Sequence, residues 1–282
     1  MQDKTVIVTG ATAGIGKVTA LEIARMGATV TIVGRSETKC KDIVQMVQRE
    51  TNNQRVDYLL ADLSSIAQTK AVAAQILDKH ERLDVLVNNV GAIFMDRGET
   101  EDGFENTFAL NHLVGYFLLT HLLLDRIKAS APARIVSVSS SAHFQGVLNF
   151  DDLGAKAKYG GIRQYAASKL MNVAFTYELA RRLEGTDVTA TALHPGVVAT
   201  NFGLTNNRKW WAKPLRWVFD RMSISEADGA KTSIYLATSP EVEGVTGKYF
   251  DDCKDVRSLD ASYDQQTQQK LWAESERLLG LH

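Results

Sequence analysis

Cysteine and proline are scarce in this chain of 282 residues, two and four respectively, and neither sign of charge is in excess. Cys40 and Cys253 stand far apart with no Cys-x-x-Cys pair, which excludes a disulfide framework and a thiolate zinc site. Lys plus Arg number 32 against 33 Asp plus Glu, a formal net charge of -1, so no basic field exists to capture a phosphate backbone and no nucleic-acid partner is expected. The six histidines show no His-x-x-x-His spacing with a carboxylate, and no metal is expected. Charged and polar residues interrupt the apolar stretches before the roughly 20 residues needed to cross a bilayer. Met1-Gln2-Asp3-Lys4 leaves no room for a signal peptide ahead of the first apolar run. The expectation is a soluble, cytoplasmic protein without a transmembrane segment.

What is present is alternation. Short β-branched runs at 5–9, 28–33, 56–60, 85–88, 134–139 and 188–193 are each followed by a longer segment with helical apolar spacing, as at 15–26 and 165–183. Repeated strand-helix units mean a parallel sheet with helices on both faces. No repeat, low-complexity tract or Pro/Gly/Ser linker marks a boundary, so residues 1–282 read as a single domain. The expected fold class is α/β, a doubly wound Rossmann-type sheet of about seven strands.

Directly after the first run comes Thr9-Gly10-Ala11-Thr12-Ala13-Gly14-Ile15-Gly16-Lys17, opening into a helix. Glycines permit a tight turn and a close approach of main chain to a pyrophosphate, and the free N–H groups of a helix start face the anion. The turn reads as a dinucleotide site, with an ordinary strand-to-helix turn as the plainer alternative. About 20 residues on, where a carboxylate would bind the ribose of NAD, the chain has Arg35. A guanidinium there suits the 2′-phosphate of NADP, so NADP(H) is preferred and NAD(H) left open.

Tyr165 and Lys169, in Tyr165-Ala166-Ala167-Ser168-Lys169, are four residues apart and share a helical face. A cation at ~4 Å in an effective dielectric of ~20 favours the phenolate by about 4 kcal/mol, which would draw the phenol toward a working range. Alone, such a pair is common on helix surfaces.

Together these residues resemble the short-chain dehydrogenase/reductases. The matching pieces run in the family's order: Thr9 to Gly16, Asp62-Leu63, Asn88-Asn89-Val90-Gly91, Asn111, Ser139-Ser140, Tyr165 to Lys169 and Pro195-Gly196. The resemblance implies Tyr165 as general acid and base, Lys169 lowering its pKa and binding the nicotinamide ribose, and Ser140 on the substrate oxygen, with Ser139 as the alternative. It implies Asn111 as the residue holding the helix and a water that links Lys169 to solvent; local main-chain bonding is the plainer role for that Asn. For the cofactor it implies Gly10, Thr12, Gly14, Ile15 and Gly16 at the turn, Asp62 and Leu63 along the adenine, and Asn88 near the adenosine. Gly91, Pro195, Gly196, Val198 and Thr200 complete that set. Val90 stands where the family usually has Ala.

The insert between Ser140 and Tyr165, with Ala142-His143-Phe144 and Asn149-Phe150-Asp151-Asp152-Leu153, resembles the retinol dehydrogenase-like branch, as does the stretch from Glu243 to Phe250. That implies a small apolar alcohol or carbonyl compound as substrate, interconverted by hydride transfer. His143 and His194 flank the expected pocket. Residues 200–222 fall where the family has its substrate loop. Three tryptophans among basic residues there read as a lid, as an interfacial helix in peripheral contact with lipid, or as packing against the core or a second copy in a homo-oligomer. The alternative from another class is an NADP(H)-sensing regulator without turnover; a sugar-nucleotide epimerase ranks behind both.

Overall fold

The computed structural model describes residues 1–196 and 225–281. The residues assigned to the substrate loop at 200–222, with Val198 and Thr200, therefore lie outside the described residues. Among the described residues the strands are β1 (Thr5–Thr9), β2 (Thr29–Gly34), β3 (Val56–Leu60), β4 (Val85–Asn88), β5 (Ala133–Val138), β6 (Val188–Leu193), β7 (Lys248–Asp251) and β8 (Lys254–Asp255). They form one sheet in the order β3-β2-β1-β4-β5-β6-β7-β8. Neighbours from β3 to β7 are parallel, with Val6 opposite both Val30 and Val85, and only β8 runs antiparallel. The sheet thus has eight strands where the sequence suggested about seven. The eighth is two residues long, folded back through Asp252 and Cys253 at φ 45° and 61°, too short to leave a periodic signal.

The longer helices among the described residues are α1 (Gly14–Arg25), α2 (Glu37–Thr51), α3 (Ile66–Lys79), α4 (Asn106–Ala129), α5 (Gly161–Arg182), α6 (Glu226–Thr238) and α7 (Gln265–Leu279). Strand alternation sorts them onto two faces. Val85 and Val87 of β4 pack with Ile23, Val47 and Leu236 under α1, α2 and α6, whereas Leu86 packs with Ile76, Phe117 and Phe175 under α3, α4 and α5. Side-chain caps from Ser36, Ser65, Ser225 and Asp264 start α2, α3, α6 and α7. Helix α1 starts at Ala13 with no side-chain cap.

Helix α4 corrects the reading that no apolar stretch is long enough to cross a membrane. Asn106–Ala129 is long and apolar enough by length and composition, and 83% of its apolar window is buried inside the fold, as befits a core helix. Its middle, Ala109–Leu118, is π-helical. Gly115 makes that winding fit: a Cβ on it would stand 2.1 Å from the Leu110 carbonyl oxygen.

Helix α7 closes the outer side of α4 and α5. The Trp272 ring lies 4.8 Å from Phe117 and 5.8 Å from Phe175, and the Arg182 guanidinium sits 4.2 Å over its face. Because β1 turns toward β2 on one side and its other neighbour is β4, a crevice opens at the carboxyl ends of β1 and β4, where α/β sheets bind their ligands.

Candidate active site

The turn after β1 and the turn after β4 are joined by bonds from the Thr9 and Asn89 side chains to the main chain of the other turn. Gly10 and Gly14 have φ of 66° and 60°, the left-handed region that glycine tolerates. The Thr9 hydroxyl accepts from the Asn89 and Val90 amides at 2.9 and 3.1 Å, and Asn89 Nδ2 donates to the carbonyls of Thr9 and Gly10 at 2.8 and 3.2 Å. A Cβ at Gly16 would stand 2.4 Å from that Nδ2, and one at Gly10 2.8 Å from Val90 Cα. Val90 fits the turn without disturbing these bonds. The uncapped start of α1 leaves its first N–H groups for an anion, so the turn fits a dinucleotide pyrophosphate carried by Gly10, Thr12, Gly14, Ile15 and Gly16.

Further along the crevice, Arg35 is 66% exposed and its Nη1 lies 3.5 Å from Asp62 Oδ2. Asp62 also accepts from the Ser64 amide at 3.0 Å and hydroxyl at 2.7 Å. An exposed pair of this kind is worth about 1 kcal/mol or less, so the guanidinium is readily exchanged onto a phosphate. A polar cavity of about 200 Å³ adjoins it, lined by Asp62, Ser64, Gln68 and Glu101 among others.

Two side chains assigned to the cofactor by resemblance are in the interior instead. Leu63 is 2% exposed in the apolar cluster under α3 and α4, and Asn88 is fully buried with its Nδ2 donating to Thr120 at 2.8 Å. Asn88 shares the sheet face of Leu86, which points it at α4. Any cofactor contact at either position falls to the main chain.

At the ends of β5 and in α5 the work passes to side chains. The Ser139 hydroxyl donates to the Lys169 carbonyl at 2.8 Å, while that of Ser140 is hydrogen-bonded to Tyr165 and accepts from the Ala142 amide at 3.2 Å. Of the two serines, only Ser140 meets the phenol. Lys169 is 1% exposed, its Nζ 3.0 Å from the Val138 carbonyl oxygen and 5.7 Å from the Tyr165 ring centre. The Tyr116 hydroxyl donates to that same carbonyl at 2.9 Å.

The electrostatics run opposite to the expectation from helical spacing. Burial pushes Tyr165 up to about 12, opposed by the Ser140 hydrogen bond, and burial brings Lys169 down to about 7. Four-residue spacing puts both groups on one face, but the ammonium is directed at a carbonyl, and in a low-dielectric interior neither charged form is favoured.

Asn111 sits in the π-helical stretch of α4 and holds Ala92 from both sides. Its Oδ1 accepts from the Ala92 amide and its Nδ2 donates to the Ala92 carbonyl, each at 2.9 Å, and Nδ2 also reaches Ser168 Oγ at 3.1 Å. These main-chain bonds are to a distant segment and not the local ones considered from sequence, and with Ser168 they join the loop after β4 to α5. Pro195 and Gly196, the latter at φ 77°, follow β6 after His194.

With this geometry in hand, likeness to known proteins is decisive. The short chain dehydrogenase family model matches residues 4–210. The chain belongs to the short-chain dehydrogenase family. Human retinol dehydrogenase 14 is 44% identical over 298 residues, covering 100% of this chain and 88% of its own length. Human polyprenol dehydrogenase is 42% identical over 290 residues, covering 99% and 86%. A crystal structure of an uncharacterised protein from Mycobacterium paratuberculosis superposes with a TM-score of 0.78 at 31% identity, covering 99% of this chain and 94% of that one. The chain is an NAD(P)-dependent oxidoreductase acting on CH–OH groups.

Motif reading of this dehydrogenase missed three residues that shape the site. Asn89, the second Asn of Asn88-Asn89, ties the two turns together, and the pattern of the motif alone does not tell the two amides apart. Tyr116 shares an acceptor with Lys169 and lay unmarked in an apolar helix. Tyr249 of β7 lies 2.8 Å from His194 Nδ1 and 3.3 Å from His143 Nδ1, a meeting of three segments that no local spacing signals.

Proposed function

We propose that the chain interconverts an apolar alcohol and its aldehyde or ketone, with NADP(H) preferred over NAD(H) and Tyr165 as general acid and base. The observation that carries this reading is the hydrogen bond between the Ser140 and Tyr165 hydroxyls beside buried Lys169 at the carboxyl edge of the sheet. The preference for NADP(H) rests on exposed Arg35 at the end of β2. Apolar chemistry is supported by the names of the relatives, retinol dehydrogenase 14 and polyprenol dehydrogenase. It is also supported by exposed Phe144, Val147 and Ile162 on the segments that carry Ser140 and Tyr165.

When bound, the nicotinamide supplies or takes up hydride at the substrate carbon. Paired hydroxyls of Ser140 and Tyr165 offer two donors to one substrate oxygen, which stabilises negative charge developing there. In reduction the neutral phenol of Tyr165 gives its proton to that oxygen. Oxidation runs the transfer backward, and the lysine in its charged form is the nearby group that eases loss of the phenol proton. Asn111 keeps the loop after β4 and α5 in fixed relation, so that Tyr165 and the cofactor turn do not drift apart.

The test is NADPH consumption with retinal and a panel of long-chain aldehydes and ketones, run alongside Tyr165→Phe. Turnover that disappears in the variant while NADPH still binds supports the reading. Tight NADPH binding with no turnover on the whole panel would overturn it.

A further inference from the structure

Behind Ser140 lies a string of polar groups that proton transfer at Tyr165 does not use. His143 is fully buried, its Nδ1 2.7 Å from the Ser140 carbonyl oxygen and its Nε2 3.2 Å from the Leu259 amide nitrogen. An amide N–H only donates, so Nε2 accepts and carries no proton. Nδ1 then holds the ring proton and donates to the Ser140 carbonyl, which only accepts. Two main-chain groups therefore select one neutral tautomer. The same reasoning runs on through Tyr249. His194 Nε2 faces Asp251 Oδ1 at 3.3 Å and is the donor there, so His194 Nδ1 accepts from the Tyr249 hydroxyl at 2.8 Å. That leaves the Tyr249 oxygen as a second, longer acceptor for His143 Nδ1 at 3.3 Å.

We propose that His143 is a positioning residue for Ser140. As the Nδ1–H tautomer it ties the Ser140 carbonyl to the main chain at Leu259 and so fixes the hydroxyl that meets Tyr165. Tyr249 extends the hold to His194 at the turn carrying Pro195 and Gly196. The inference rests on the oxidoreductase reading and adds to it a link from the β5 end to the C-terminal segment. Ser140 needs such a hold because it lies two residues beyond β5 in extended conformation and caps a five-residue 3-10 turn, Ser141–Gln145, a winding with little rigidity of its own. The turn is also pressed against α5, since a Cβ on Gly146 would stand 2.7 Å from the Ala166 carbonyl oxygen. Burial holds His143 below the usual histidine range, in keeping with a ring that stays neutral. Among the described residues, Tyr249, His194 and, beyond them, Asp251 are the titratable groups around the ring.

Three variants separate positioning from mere filling of space. His143→Asn keeps a donor near the Nδ1 position, His143→Gln reaches the Leu259 side but loses the bond to Ser140, and His143→Phe keeps only ring volume. For carbonyl reduction with NADPH, kcat is expected to fall about 10–100-fold in the Phe and Gln variants with NADPH affinity unchanged, and to return to within about threefold of wild type in the Asn variant. Equal kcat in wild type and His143→Phe, or an Asn variant as impaired as the folded Phe variant, overturns the proposal. Two further readouts need no turnover. Ring nitrogen resonances of His143 are expected to report a protonated Nδ1 and bare Nε2, and the reverse tautomer overturns the proposal. The ¹³Cζ resonance of Tyr165, assigned with Tyr165→Phe, is expected to shift in His143→Phe and return in His143→Asn; an unmoved resonance overturns it too. A wild type that reduces no carbonyl defeats the oxidoreductase reading alone, because the Tyr165 resonance still decides whether His143 positions Ser140.

Discussion

The two ends of the crevice are built from different material. At the glycine turn the ligand-facing groups are main-chain amides, held by left-handed glycines and by the Asn89 and Thr9 side chains that tie one turn to the next. At the Tyr165 end the reacting groups are side chains, set by long-range packing: Ser140 from the turn after β5 and Tyr165 and Lys169 from α5, with His143 behind them held by Leu259. The first end is a matter of shape and of dipoles that cannot titrate. The second depends on protonation states that burial shifts, the Tyr165 phenol upward and the Lys169 ammonium downward. Damage at one end should therefore read out as lost affinity, and at the other as lost turnover or altered pH response.

The largest effect expected is at the chemical end. Tyr165→Phe should lower kcat about 10²–10⁴-fold while leaving the NADPH dissociation constant near wild type, measured by steady-state kinetics and by nucleotide fluorescence. A parallel loss of NADPH affinity would blur the division between the two ends.

At the shape end, Gly16→Ala drives a Cβ toward Asn89 Nδ2 and the Gly10 carbonyl, 2.4 and 2.8 Å away. Expected are about 1–3 kcal/mol of lost stability and weaker NADPH binding, with kcat at saturating nucleotide little changed. Thermal denaturation and a binding isotherm would check both.

Lys169→Met sharpens the electrostatic contrast through its pH dependence. The folded-state pKa of Lys169 is lowered to about 7, so the unfolded chain binds the extra proton between about pH 7 and the ordinary lysine range. Wild-type stability should accordingly rise with pH across that window, and the burden of the buried ammonium is fullest below it. The variant is expected to be inactive yet more stable than wild type by about 2–4 kcal/mol at pH 6.5, with the advantage shrinking by pH 9.5. Denaturant unfolding at the two pH values decides; an advantage that grows with pH would contradict the assignment.

The smallest effect expected is at the exposed rim. Arg35→Ser should raise the NADPH dissociation constant about 5–50-fold and leave that of NADH within twofold, since only a 2′-phosphate would meet the guanidinium. Equal changes for the two nucleotides would remove the case for NADP(H).

Much of the fold was legible because parallel strands buried on both sides read as β-branched runs, and the six runs found this way coincide with β1 to β6 to within a residue or two. What went unseen was short or supported from afar. β8 has two residues, and α7 owes its place to Trp272 stacking among Phe117, Phe175 and Arg182. In the site, the glycine turn and the pairing of Tyr165 with Lys169 were visible as spacings. Ser140 was preferred to Ser139 by resemblance alone; the physical reason, that the Lys169 carbonyl takes the Ser139 hydroxyl, was not legible. Nor was the interior placement of Leu63 and Asn88, which depends on what α3 and α4 lay against the sheet.

By itself the sequence determined the order of strands and helices, the turn that can receive a pyrophosphate, and the helical face shared by Tyr165 and Lys169. Those are consequences of backbone geometry over a few residues. Tertiary structure alone decided which serine meets the phenol, which asparagine joins the turns, and that Tyr165 and Lys169 are both held toward their neutral forms. Hydrogen-bond partners and dielectric surroundings come from segments tens to a hundred residues apart in the chain, and only folding brings them together.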